Sequence, residues 1–262
     1  MYYYYISVKS INQEREIHMK KSTKIMITVL AVVLVLGGIA SYLVPMFLLK
    51  AATKEIMPEC KRAEYITDLK SKPEGFVIMD NGGYTIKIPS YLSKSDYEKA
   101  NVYSADDGTE YGSQYIFLME PFDEEMSLVD AYEEDNAEIK KYGIRNVKKM
   151  FESLGYGTPD SYYNVLKCTC LLDWEDYNVF SVRKSVAFSV YAALREGLYM
   201  TLDNYIYERD DVRAIVQTGE EGYYTIDIFH TDDLNAGYGM RIKDENLSFE
   251  EMVSMLNTVE FK

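Results

Sequence analysis

Twenty-five consecutive residues, Ile25 to Leu49, carry no charge, and Ile25–Leu36 is almost wholly Ile, Leu, Val, Met and Ala. A helix rises about 1.5 Å per residue, so the stretch exceeds the roughly 30 Å hydrocarbon layer and can cross it with some tilt. Lys20, Lys21 and Lys24 stand before it and Lys50 and Lys54 after it, an asymmetry that favours a cytoplasmic N-terminus. The sequence therefore predicts a short cytoplasmic tail over 1–24, one transmembrane helix over 25–49 and a juxtamembrane helix or linker over 50–74. A domain outside the cytoplasm follows over 75–262, held at the cell membrane by this single pass.

A cleaved signal peptide is the competing reading, with Gly37-Gly38 as breaker and a small-residue site ending at Ala40. Cleavage there would leave Tyr42-Leu43-Val44-Pro45-Met46-Phe47-Leu48-Leu49 as an exposed apolar terminus, which is costly in water. Cys60 makes a poor lipoprotein site, because Pro58 and Glu59 stand where small residues are needed. Gln13-Glu14-Arg15-Glu16 can be encoded by a purine-rich run like a bacterial ribosome-binding site, so Met19 is the expected start of translation in a bacterial host.

The formal charge is −14, but the first fifty residues carry +4 and the remainder −18, with 22 Lys and Arg against 40 Asp and Glu. Such a domain repels phosphate backbones and anionic headgroups, which argues against nucleic-acid binding and against lying flat on a membrane. Acidity also keeps an exported domain soluble.

Past Pro73 the periodicity becomes that of strands. Phe76-Val77-Ile78-Met79, the turn Asp80-Asn81-Gly82-Gly83 and Tyr84–Pro89 form a hairpin signal. A second pair flanks Asp106-Asp107-Gly108, with Gln114–Met119 as one arm. Ser127 with Asp130 resembles a capping box, which predicts a helix over Ser127–Tyr142 closed by Gly143; Val147, Met150, Phe151 and Leu154 continue at helical spacing as far as Gly155. Beyond residue 160 the sequence predicts strands at Tyr163–Leu172, Val179–Arg183, within Tyr199–Tyr207, and at Ala214–Thr218, Tyr223–His230 and Gly239–Ile242. Ser185–Arg195 is ambiguous. Ser248 with Glu251 caps a last helix, and Val259–Phe261 returns as an edge strand. The expected class is α+β, a mainly antiparallel sheet packed by two or three helices and preceded by one N-terminal transmembrane helix.

Two segments carry a resemblance: the hairpin leading into Gly83-Tyr84-Thr85-Ile86-Lys87-Ile88-Pro89, and the Ser248-Phe249-Glu250-Glu251 helix running into Leu256–Phe261. Together they resemble the PsbP/Mog1-like α/β/α sandwich. The resemblance implies a non-catalytic module that binds or assembles with a protein, and it transfers no functional residue.

Catalytic and metal chemistry find little footing. His230 stands near Asp232 and Asp233, but no Gly-x-Ser-x-Gly elbow exists. No zinc spacing occurs, and the oxygen-rich turns 106–110 and 232–235 do not follow a calcium loop. Cys168 and Cys170 would lie side by side on a strand as buried thiols, and a bridge from Cys60 to one of them stays open. Glu133, Glu134, Asp173, Glu175 and Asp176 offer carboxylate pairs for glycan hydrolysis, though forty acidic residues make proximity common.

Tyrosine is the unusual residue, with twenty after Leu49. A recognition surface is expected among Tyr162, Tyr163, Trp174, Tyr177, Tyr205, Tyr207, Tyr223 and Tyr224, although tyrosine also packs sheets well. The expected function is a non-catalytic, cofactor-free binding or assembly module for an envelope protein or surface polymer. A carboxylate-dependent glycan hydrolase or a purely structural surface domain are the alternatives.

Overall fold

A computed structural model describes residues 37, 40–57, 61–67, 75–94, 101–104, 115–123, 127–134, 137–197, 203–219, 223–243 and 247–262. The chain divides into two compact units, Met1–Leu49 and Lys50–Lys262. In the first, residues 40–49 are helical. Residues 25–36 and the expected start at Met19 lie outside the described residues. Among those described, no helix is long and apolar enough to cross a membrane.

The second unit opens on helical residues 50–56 (α1). Two sheets organise the rest. The larger holds eight strands in the order β1-β7-β8-β9-β10-β6-β5-β4: β1 Glu64–Tyr65, β4 Ser93–Lys94, β5 Asn101–Ser104, β6 Tyr115–Asp123, β7 Asp203–Arg209, β8 Val212–Thr218, β9 Tyr223–His230 and β10 Asp233–Lys243. Among the described residues every pairing in it is antiparallel except β1 with β7, where Glu64 and Tyr65 run parallel to Tyr205 and Ile206. The smaller sheet, ordered β11-β3-β2, joins β2 Phe76–Asp80, β3 Tyr84–Pro89 and β11 Glu260–Phe261. The expected α+β class with a mainly antiparallel sheet is the one observed.

Alternation along the strands gives the large sheet two apolar faces. Tyr207, Val212, Ala214, Val216, Tyr224, Ile226, Ile228, Met240 and Ile242 pack with Met79, Tyr84, Ile86 and Ile88 of the small sheet and with helix α7, Phe249–Leu256. On the other face Ile206, Ile215 and Phe229 receive Tyr163, Leu166 and Cys170 of helix α5, Tyr162–Cys170. Helices α2 (Leu128–Glu134), α3 (Ala137–Lys140), α4 (Val147–Glu152) and α6 (Val182–Gly197) complete the helical part.

The sequence reading needs two corrections. Tyr163–Leu172 is the helix α5 rather than a strand. Ser161 caps it, accepting a hydrogen bond from the Asn164 N–H, and Tyr163, Leu166 and Cys170 follow helical spacing onto the sheet. Cys168 and Cys170 therefore point about 200° apart instead of side by side; both are buried free thiols. Val179–Arg183 is the approach to α6 and its first turn, and α6 absorbs the ambiguous 185–195 stretch. The helix expected over Ser127–Tyr142 is helical at Leu128–Glu134 and Ala137–Lys140, ahead of Gly143 at φ +72°, with residues 135 and 136 outside the described residues. Tyr, Val, Thr and Cys have high strand propensity, and tertiary packing overrode it in α5. The capping box of α7 forms as read: Ser248 Oγ accepts the Glu251 N–H and the Glu251 carboxylate accepts the Ser248 N–H.

Candidate functional site

The hairpin that opens the small sheet builds an apolar edge that no described strand pairs. Its turn is fixed by Asp80, whose Oδ1 accepts the Gly82 N–H at 2.8 Å, and by Gly82 at φ +85°. Gly83 lies against Tyr238, where an added Cβ would fall 1.9 Å from the phenol oxygen, so no larger residue fits without moving that ring. Lys262 clamps the turn. Lys262 Nζ donates to both Asp80 oxygens at 2.6 Å, and the Lys262 N–H bonds the Gly83 carbonyl at 3.1 Å. That lysine bond, then the Gly82 N–H, holds the Asp80 carboxyl below its usual range.

Behind the hairpin, Tyr207 Oη donates to Asn257 Oδ1 at 2.7 Å, and the Arg209 guanidinium donates to the Asn257 and Val259 carbonyls. Thr258 Oγ1 accepts the Lys87 N–H at 2.7 Å. The segment between α7 and β11 thus ties the small sheet to β7. The edge is carried on a braced scaffold.

Antiparallel partners alternate between bonded pairs and pairs whose N–H and C=O groups point outward. The Asn81 N–H bonds the Tyr84 carbonyl and the Ser90 N–H bonds the Gly75 carbonyl. Counting along the register between these bonds turns the backbone groups of Phe76, Ile78 and Asp80 away from β3. Among the described residues no strand pairs with β2 on that side. Ile78 is 69% exposed there and Val77 45%, while Met79 is buried in the core.

The tyrosines expected to form a surface are dispersed. Tyr163, Tyr177, Tyr207 and Tyr224 are buried, and Tyr162, Trp174, Tyr205 and Tyr223 are half-buried. Tyr207 and Tyr224 face the small sheet with Tyr205, whereas Tyr162 and Tyr163 face α5's side. Their hydroxyls serve the fold: Tyr163 donates to Glu208 at 2.8 Å and Tyr224 to the Leu247 carbonyl at 3.2 Å. Trp174 and Tyr177 do meet, each packing on Phe188, with ring centroids 4.9 and 5.2 Å away.

His230 closes the β9–β10 hairpin. Its Nδ1 accepts the Asp232 N–H at 3.2 Å, and its ring packs edge-on to Phe261. Asp233 Oδ1 accepts the Asn235 and Ala236 N–H groups, which is turn chemistry. The turn 106–110, Cys60 and the side chains of Glu133 and Glu134 lie outside the described residues. Asp173 Oδ1 accepts the Glu175 N–H, and Asp176 is held by Arg62 and the Tyr156 hydroxyl. Among the described residues no three His, Cys, Asp or Glu side chains are grouped to hold a metal ion. Burial pushes the Cys168 thiol up to about 11 and the Cys170 thiol up to about 12, so both stay protonated and unreactive.

One carboxylate escaped the sequence reading. Asp227 sits between Ile226 and Ile228 in β9 on the helix-facing side, and burial pushes its carboxyl up to about 6 against the opposing pull of Arg241. A carboxyl raised on folding favours the native state while protonated, and that advantage is lost as pH rises through 6. Asp227→Asn is therefore expected to stabilise the protein at pH 8 and to be neutral at pH 4. At about 1.4 kcal/mol per pH unit the ceiling is about 3 kcal/mol, and partial exposure lowers the expected gain to about 1–2 kcal/mol. Urea titrations of both proteins at the two pH values check this.

No protein-family model matches the chain, and no curated protein matches it.

Proposed function

We propose that this chain is a membrane-anchored binding or assembly module, with 25–49 as its single transmembrane helix and the unit from Lys50 onward outside the cytoplasm. It captures an extended segment of an envelope protein as an added strand on β2. The observation that carries the reading is Ile78, a large apolar side chain left 69% exposed on a strand whose outward N–H and C=O groups have no described partner. Natural proteins cover or charge such edges, because an open one pairs with another chain. In strand addition, main-chain bonds supply affinity and alternate side chains supply specificity. Val77 and Ile78 point to opposite faces of the sheet, so both sides of an incoming strand would meet an apolar contact. The −18 charge beyond residue 50 favours a basic segment. A backbone-reading edge suits a protein better than a surface polymer. The resemblance to the PsbP/Mog1-like sandwich points to the same class of role.

The test places a photo-reactive residue at Val77 of the full chain in its host membrane, with Lys243, exposed on the interior strand β10, as the control site. A discrete adduct is expected from 77 and not from 243. Ile78→Pro removes one outward N–H, leaves the ladder to β3 intact and is expected to reduce the adduct at least about tenfold. Equal adducts from both sites, or undiminished capture by the proline variant with its fold retained, would refute the reading.

A further inference from the structure

The net acidity of the unit from Lys50 onward conceals a basic end. Residues 140–149 hold Lys140, Lys141, Arg145, Lys148 and Lys149 and no acidic residue, and all five are exposed. Arg183 is exposed in the first turn of α6, and just before that helix Phe180 is 74% exposed, the largest exposure among the described apolar side chains.

These two segments come together near Lys50, the first residue of the second unit. Lys50 Nζ lies 5.4 Å from the centre of the Tyr177 ring. Thr53 Oγ1 is 2.7 Å from Ser189 Oγ, and Arg195 Nη2 donates to the Lys61 carbonyl at 2.8 Å. Lys50, Thr53 and Lys61 are therefore placed successively along α6 from its approach toward its end. The Tyr177 phenol lies by Ser185 and Ser189 and is close enough to Tyr142 to interact electrostatically. Farther along the same helices, Phe151 of α4 packs on Tyr191 of α6 at 5.2 Å. Lys50, the 140–146 loop and the 177–184 approach to α6 thus share one end of the helical layer. Of the described carboxylates near these segments, Asp176 pairs with Arg62, Glu152 lies 3.9 Å from Lys148 of the run itself, and Glu175 is exposed.

We infer that this end rests on anionic lipid headgroups, an inference that depends on residues 25–49 being the membrane tether proposed above. A tether ending at Leu49 brings residue 50 to the bilayer surface, and the side chains grouped around residue 50 are basic and aromatic. Each Lys or Arg near an anionic surface contributes about 1 kcal/mol, or roughly fivefold in affinity, and an exposed ring such as Phe180 inserts at the headgroup boundary. The acidic remainder is repelled by the same surface. The basic end would then be drawn to the surface, in contrast to the repulsion expected from net charge.

The experiment reconstitutes the full chain into nanodiscs of phosphatidylcholine, with and without phosphatidylglycerol, and follows amide hydrogen exchange. Residues 140–149 and 177–184 are expected to exchange about tenfold more slowly in the anionic discs. High salt or the triple change Lys140→Glu, Lys141→Glu and Arg145→Glu should remove that difference. Exchange in β8 and β9 reports that the triple variant remains folded. Co-elution with the neutral discs reads the tether separately. A chain that fails to co-elute overturns the tether and this inference with it. A chain that co-elutes but shows the same exchange at this end in both lipids overturns the inference alone and leaves the basic face to an acidic protein partner.

Discussion

Replacing Phe229 by alanine is expected to lower the free energy of unfolding by about 3–5 kcal/mol, a large share of the roughly 5–15 kcal/mol that holds a domain together. Phe229 is fully buried on the α5 side of β9. The rings of Phe122, Tyr162 and Tyr163 surround it, with centroids at 5.6, 6.0 and 5.4 Å. Truncation removes the surface against which α5 docks and leaves a cavity between braced elements. On one side β9 is laddered to β8 and β10. On the other, α5 is held by the bonds that Tyr163 Oη and Lys167 Nζ make to Glu208. A site that cannot collapse lies toward the upper end of the range. Urea titration followed by circular dichroism reads the loss. Val77→Ala, at a half-exposed edge position, serves as the comparison and is expected to cost less than about 1 kcal/mol.

A second large effect is expected from two arginines in the uncharged segment. Leu30→Arg with Val33→Arg adds about 5–7 kcal/mol to the free energy of insertion if both fall near the bilayer centre. If residues 25–49 span as proposed, they depend on an unbroken apolar length, so the double variant is expected to move from the membrane pellet to the soluble fraction or to be degraded. Leu30→Ala with Val33→Ala should stay in the pellet. Fractionation and immunoblotting distinguish the two.

Much of the fold was legible because its signals are local. The Asp80–Gly83 turn, the Ser248/Glu251 capping box and the glycines that end α3 and α4 each declare themselves within a few residues. The α5 segment was misread because its Tyr, Val, Thr and Cys residues suit strands, while the decisive fact, a buried sheet face waiting for Tyr163, Leu166 and Cys170, is tertiary. The β2 edge was half legible. Phe76-Val77-Ile78-Met79 is apolar on both faces of a strand, and burial of only one face leaves Ile78 outside. Four of the tyrosines expected at a surface are absorbed by the core. Asp227 could have been suspected from its place between two isoleucines. The basic run 140–149 was visible too, but a net charge averages over the surface and hides a local cluster of opposite sign.

The tether can be tested in one measurement on intact cells, followed by alkaline carbonate extraction of their membranes. The full chain is expected to remain in the carbonate-washed pellet, and protease added outside the cells is expected to digest the unit beginning at Lys50 while sparing the short N-terminal tail. Release of the full chain by carbonate, or protection of that unit from external protease, would contradict the proposal that residues 25–49 hold a domain outside the cytoplasm.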